Sequence, residues 1–241
     1  MTIFDSIASF YLIVKVILPW FGIAKPVIID IMSIDFLQII IVLIVILFSM
    51  TLHEAMHAYV GNWLGDKTAR LQGRLTLNPL KHIDPFLTII LPLSLALVGA
   101  PIFGGARPVP FNPNNVRGGE WGAALIALMG PVTNLFIAFV SFGIWVLVGV
   151  DTTSLTSSIF STIILVNLGF FIFNMIPIVP LDGSRVLYAL APEFVRRIME
   201  KTERFGLLII FGLIIFANEY IGTLITTVMG FFWTLFANIF M

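Results

Sequence analysis

The chain has 241 residues, 59% of them hydrophobic and 11% charged, with a formal net charge of zero and no cysteine. A soluble domain carries about 25% charged residues, so the composition excludes one and points to an all-α polytopic membrane protein in contact with the lipid bilayer. The scattered basic residues exclude a nucleic-acid partner, and the lack of cysteine excludes disulfides and thiolate metal sites.

The first residues lack the basic start and small-residue cleavage site of a leader peptide. Residues 7–23 are apolar but carry Lys15 and Pro19, a pattern shared by spans with an inward-facing lysine and by interfacial helices. Ile34–Leu64 is the strongest spanning segment. Residues 36–60 alone make about 37 Å of helix, enough to cross a hydrocarbon core of roughly 30 Å. Close to its end stand His53, Glu54 and His57 in the order H-E-x-x-H. Positions i and i+4 lie about 40° apart on one helix face, so both imidazoles reach one metal ion and Glu54 lies beside a water on that metal.

The connector 65–85 holds Lys67, Arg70, Arg74 and Lys81. Within it Arg70–Leu77 alternates, with Leu71, Gly73, Leu75 and Leu77 on one face and Arg70, Gln72, Arg74 and Thr76 on the other. Period two predicts a short β strand or half a hairpin near the motif. Residues 86–103 are apolar but broken by Pro92, Gly99 and Pro101, and 104–119 is a Pro/Gly/Asn-rich loop. A clear span follows at 121–148, containing Gly130-Pro131-x-x-Asn134. Another at 159–176 ends at Pro177, where P-I-V-P-L-D-G (Pro177–Gly183) breaks away. Residues 205–217 and 220–240 complete the chain, giving about six transmembrane helices.

Eleven of the thirteen basic residues fall in three segments: four in 61–85, two in 104–120 and five in 184–204. The loop 150–158 has none, so the positive-inside rule puts all three basic segments on the cytoplasmic side. Segment 86–103 then begins and ends on one side and reads as re-entrant. The same arithmetic brings the H-E-x-x-H end and the Leu181-Asp182-Gly183 turn to one face.

A hydrolytic zinc site takes three protein ligands and leaves a fourth position for water. His53 and His57 supply two. His82, beside Lys81, reads as a surface histidine, Asp66 and Asp84 as solvated loop carboxylates, and Glu193, Glu200 and Glu203 as solvated charges. Asp182 differs, because it follows an apolar helix and is framed by Pro177, Pro180 and Gly183. An acid at membrane depth is costly unless paired or bound to metal, so Asp182 is the expected third ligand. The competing readings are a membrane zinc-binding carrier and an inactive scaffold. No second half with matching broken helices supports a carrier, and Glu54 has a task only in hydrolysis.

These motifs together resemble the site-2 protease family of intramembrane metalloproteases: H-E-A-M-H-A-Y (His53–Tyr59), G-R-L-T-L-N-P (Gly73–Pro79), A-R-P-V-P (Ala106–Pro110), G-P-V-T-N (Gly130–Asn134) and N-M-I-P-I-V-P-L-D-G (Asn174–Gly183). The resemblance covers about residues 34–190, leaving 1–33 peripheral and 205–241 as carboxy-terminal helices of a single membrane-embedded domain over 1–241. It is to the minimal prokaryotic branch without PDZ or nucleotide-sensing domains, which implies the cytoplasmic membrane. It also implies one zinc ion held by His53, His57 and Asp182, with Glu54 as general base. Asn174, and Asn134 beside it, are candidate donors to the oxyanion. The competing reading of both asparagines is helix–helix hydrogen bonding, to which Gly130, four residues before Asn134, adds weight for that residue. The substrates implied are proteins with a transmembrane helix, which must unwind before cleavage. An edge strand at Arg70, Leu71, Gln72, Gly73, Arg74 and Leu75 is expected to hold the unwound segment by β-addition. Oligomeric state and substrate identity are not legible in the sequence.

Overall fold

The computed structural model describes residues 36–91, 94, 105–149 and 154–241. The prediction for 7–23 and most of the re-entrant segment expected at 86–103 lie outside the described residues. Phe36–Trp63 forms α1, with no proline and no glycine before Gly61 to interrupt its hydrogen-bond ladder. It ends where Gly65 adopts a left-handed φ of +106°. Arg117 covers the open carbonyls of its last turn: its backbone N–H donates to Leu64 O at 2.8 Å and its guanidinium to Trp63 O.

Gly119–Val148 forms α2, with Pro131 inside it. Leu155–Asn174 forms α3, its first turn capped by the Ser154 side chain. Asp182–Leu190 (α4), Glu193–Glu203 (α5), Gly206–Phe216 (α6) and Asn218–Phe240 (α7) follow. Helix α2 is central and packs on α1, α3 and α4. Phe142 of α2 and Ile164, Leu165 and Leu168 of α3 are fully buried, and Ile225 and Met229 of α7 close the cluster. Trp233 and Phe236 of α7 meet Phe142 edge to face, the geometry that aromatic quadrupoles favour.

Among the described residues, four helices are long and apolar enough to cross a membrane: Ile40–Trp63, Gly119–Val148, Leu155–Asn174 and Glu219–Phe240. Their outward side chains, among them Leu43, Ile44, Phe48, Phe136 and Ile144, are as apolar as the lipid they would face. The protein is therefore a multi-pass membrane protein. Helix α6, with 11 residues, covers only about 16 Å. Among the described residues, four spans thus stand where six, two of them outside or too short, were expected.

The connector corrects three expectations, for the strand, His82 and Asp66. No strand forms at Arg70–Leu77, and the described residues contain none at all. Thr68–Leu71 is instead a single helical turn, entered through the Asp66 carboxylate, which accepts from Thr68 N and Oγ1. Gly73, at φ +67°, then reverses the chain. The alternation misleads because burial runs against it: Leu71 is 83% exposed, whereas Arg74 is 4% exposed. The Arg74 guanidinium donates to Arg107 O, a partner no local pattern reveals. His82 is not a surface residue but fully buried, its Nε2 2.9 Å from Thr76 O.

The same connector clamps the segment 105–112. Gly105 N donates to Leu87 O, and Arg107 N to His82 O. Thr88 Oγ1 donates to Gly105 O, and Asn112 N to Asp66 Oδ2 at 2.7 Å. Asp66 is accordingly buried rather than solvated. Burial works to raise its pKa, but the hydrogen bonds from Thr68, Asn112 and Asn115 outweigh that and hold the carboxyl below its usual range. A depressed pKa contributes stability above the unfolded value, near pH 4, and loses it as pH falls through the folded value. Asp66→Ala should therefore cost about 1.5–3 kcal/mol at neutral pH, read as a lower unfolding midpoint in detergent. The difference from the parent chain should shrink as the pH is taken down through that window.

Candidate metal centre

Helix α1 presents His53 and His57 one turn apart, with ring centroids 4.7 Å apart and planes nearly perpendicular. Asp182 arrives from the first turn of α4, where Pro177 and Pro180 have ended α3 and redirected the chain. Gly183 permits that turn, since a Cβ there would lie 2.4 Å from Met175 O. The three side chains converge. His53 Nε2 and His57 Nε2 are 3.0 Å apart, and Asp182 Oδ2 lies 3.1 and 3.4 Å from them.

The outer nitrogens decide what these inner atoms are. His57 Nδ1 lies 2.7 Å from Ile126 O; a carbonyl only accepts, so Nδ1 carries a proton, and in the neutral ring Nε2 offers a lone pair. His53 Nδ1 lies 2.6 Å from Asn134 Oδ1 and is fixed in the same way. Two lone pairs and a carboxylate oxygen thus face one another, and Asp182 Oδ2 is buried without a hydrogen-bond partner. With both rings neutral, three converging acceptors repel unless a cation, a metal ion or a proton on one ring, lies between them. Their spacing also suits tetrahedral zinc, whose ligand atoms stand roughly 3.3 Å apart at bond lengths near 2.0–2.1 Å. The residues present fit the metal.

Gly130 of α2 makes the close packing possible. A Cβ at that position would stand 2.4 Å from His57 Nε2 and 2.7 Å from His53 Cε1. Gly130→Ala should push the imidazoles off their common point and weaken zinc binding about tenfold or more. Chelator competition on the purified protein measures it, and unchanged affinity would show that the rings have room to spare.

The centre lies in the wall of a cavity of about 440 Å³. His53, Glu54, Asn174 and Asp182 line it, together with apolar side chains of α1 and α3 such as Leu47, Met50, Phe170 and Phe173. Glu54 is half-buried there, with Oε2 accepting from Val109 N at 3.0 Å. Asn174 donates from Nδ2 to Phe170 O at 2.9 Å, which leaves its second N–H free to point elsewhere. Asn134 is placed otherwise. It is fully buried behind the His53 ring, on the side away from Asp182, and does not line the cavity. Arg70, Leu71, Gln72, Gly73, Arg74 and Leu75 do not line it either.

The model of peptidase family M50 matches residues 149–217, a stretch that contains Asp182. YwhC of Bacillus subtilis (strain 168), whose name provisionally makes it a zinc metalloprotease, is 41% identical over 173 residues, covering 69% of this chain and 76% of its own length.

The chain belongs to peptidase family M50.

Rip2 of Mycolicibacterium smegmatis, similarly named, is 31% identical over 171 residues, or 70% of this chain and 64% of Rip2. Rip2 of Mycobacterium tuberculosis is 30% identical over 174 residues. The chain thus spans about three quarters of YwhC and just under two thirds of Rip2. No solved structure matches it. Membership in M50, the site-2 protease family, together with the clustered His53, His57 and Asp182, makes zinc the metal of this centre.

Proposed function

We propose that this M50 member hydrolyses peptide bonds within or next to the transmembrane helices of other membrane proteins. The observation that carries the reading is the convergence of three acceptor atoms on one point in the wall of an apolar cavity that also receives the Glu54 carboxylate. His53, His57 and Asp182 hold the metal. When bound, zinc supplies a Lewis acid that polarises the scissile carbonyl and acidifies water. Glu54, with Oε2 tied to Val109, takes the proton of the attacking water on Oε1 and returns it to the leaving amine. Asn174 turns its free N–H toward the developing oxyanion. Asn134 serves His53 from behind rather than the substrate. Single-span proteins of the cytoplasmic membrane are the substrate class, and the centre sits nearer the cytoplasmic face, on the strength of the basic segments.

An unwound substrate needs a backbone partner, and 105–110 suits that task. Gly105 and Arg107 direct both their N–H and C=O groups into the protein, and Val109 gives its N–H to Glu54. The alternate residues Ala106, Pro108 and Pro110 therefore turn the other way, and Ala106 and Pro108 line the cavity. Ala106→Pro would remove the one outward N–H while leaving the inward bonds intact. Cleavage should fall about tenfold with zinc content unchanged; full activity would rule this edge out. The reading as a whole is tested by comparing membrane-protein fragments released by the active chain with those released by Glu54→Gln. Fragments ending inside spans should appear with the active chain alone.

A further inference from the structure

We infer that Asn167, which belongs to no motif in the sequence, is a positioning residue for the metal centre, acting on His53 through Asn134. The inference rests on His53 being a zinc ligand. Asn134, Asn167 and Ser49 form a buried polar string between α1, α2 and α3 in surroundings that are otherwise apolar; both asparagines are fully buried.

The direction of every bond in the string follows from one carbonyl. Asn167 has an amide atom 2.8 Å from Ile163 O, four residues back on α3. A backbone carbonyl only accepts, so that atom is Nδ2, which also reaches Ser49 Oγ at 2.9 Å. Asn167 therefore turns Oδ1 toward Asn134 and accepts from its Nδ2 at 2.8 Å. Ser49 O, 3.4 Å from the same Nδ2, reinforces that orientation. Asn134 is left with only Oδ1 to offer His53, at 2.6 Å. His53 must then carry its proton on Nδ1 and present the Nε2 lone pair to the metal. A flipped Asn134 would aim an NH2 group at Nδ1, favour the opposite tautomer and place a proton on Nε2, where the metal belongs. Asn167 blocks that flip. Asn134, which bonds the ligand directly, is a partner of the kind that typically alters metal affinity about 10–100-fold, and Asn167 sets which end of it His53 meets.

The test is zinc affinity by chelator competition on the full chain in detergent, with thermal unfolding of each zinc-free variant alongside. Asn167→Leu should weaken zinc binding about 10–100-fold, as should Asn134→Leu. The double variant should bind no more weakly than Asn134→Leu alone, because Asn167 acts only through the residue already removed. A carboxylate at 134 has no wrong end to present. Asn134→Asp should therefore bring zinc affinity in the Asn167→Leu background back to within a few-fold of the parent chain. That double variant also serves as the test if Asn167→Leu alone does not fold. Wild-type affinity in Asn167→Leu, losses that multiply in the double leucine variant, or failure of Asn134→Asp to restore binding would each overturn the inference. His53→Ala is the control for the reading beneath it. If that variant keeps its zinc, the metal-centre assignment itself fails; if it loses zinc while Asn167→Leu does not, only the role of Asn167 fails.

Discussion

Glu54→Gln should stop peptide-bond cleavage while one zinc ion stays on each chain. A positioned general base contributes about 10²–10⁴-fold to rate, and glutamine cannot take the proton. The substitution is close to isosteric. Its side-chain oxygen still accepts from Val109 N–H, as Oε2 does at 3.0 Å, so the segment 105–112 keeps its place against α1. The ligand atoms are untouched, because His53 and His57 are oriented by Asn134 and Ile126 and not by Glu54. Turnover of a single-span protein in proteoliposomes and zinc by elemental analysis are the two measurements. Continued cleavage would remove Glu54 from the chemistry. Zinc movement across the vesicle membrane that survives the substitution would favour a carrier over a hydrolase.

Asp182→Ala should strip the zinc, whereas Glu200→Ala should not. Glu200 is occupied at the surface of α5, accepting from the Tyr188 hydroxyl, and Asp182 Oδ2 is within 3.4 Å of both imidazole nitrogens. Loss of a ligand should exceed the roughly 10–100-fold effect of losing an outer partner. The zinc-free proteins give the baseline for a second readout. Added zinc should stabilise only the parent, by about 4 kcal/mol at a thousandfold excess over the dissociation constant. Equal stabilisation of both would place the third ligand elsewhere.

The metal centre was legible because its parts obey local rules. Two histidines at helical spacing around a glutamate, and an aspartate released from a span by two prolines, can each be read without knowing the fold. Their meeting on one face followed from charge asymmetry between loops. The connector was not legible, because its partners are remote. Arg74 is buried to serve the carbonyl of Arg107, 33 residues on, and Asp66 to serve the amide of Asn112, 46 residues on. Against such pairings eight residues of alternating polarity carry little weight, and the expected strand did not form. Asn167 left only a faint trace, as a single amide inside an apolar run, which marks a polar group needing a partner in the membrane but not which one. The length of α6 was half-visible: thirteen apolar residues were already short for a span, and a break at Ala217 leaves 11 in helix.

The prolines at 108 and 110 have an effect beyond the proposed docking of a substrate. An exposed backbone rim is normally an invitation to its own kind, since two copies can zip together and begin an aggregate. Here two of the three outward positions offer a carbonyl and no N–H. A second copy of the rim brings the same shortage of donors, so like cannot pair with like along its length. A stretched peptide with ordinary amides would supply what is missing, so a rim that docks substrate, as proposed above, would be kept for guests and closed to twins.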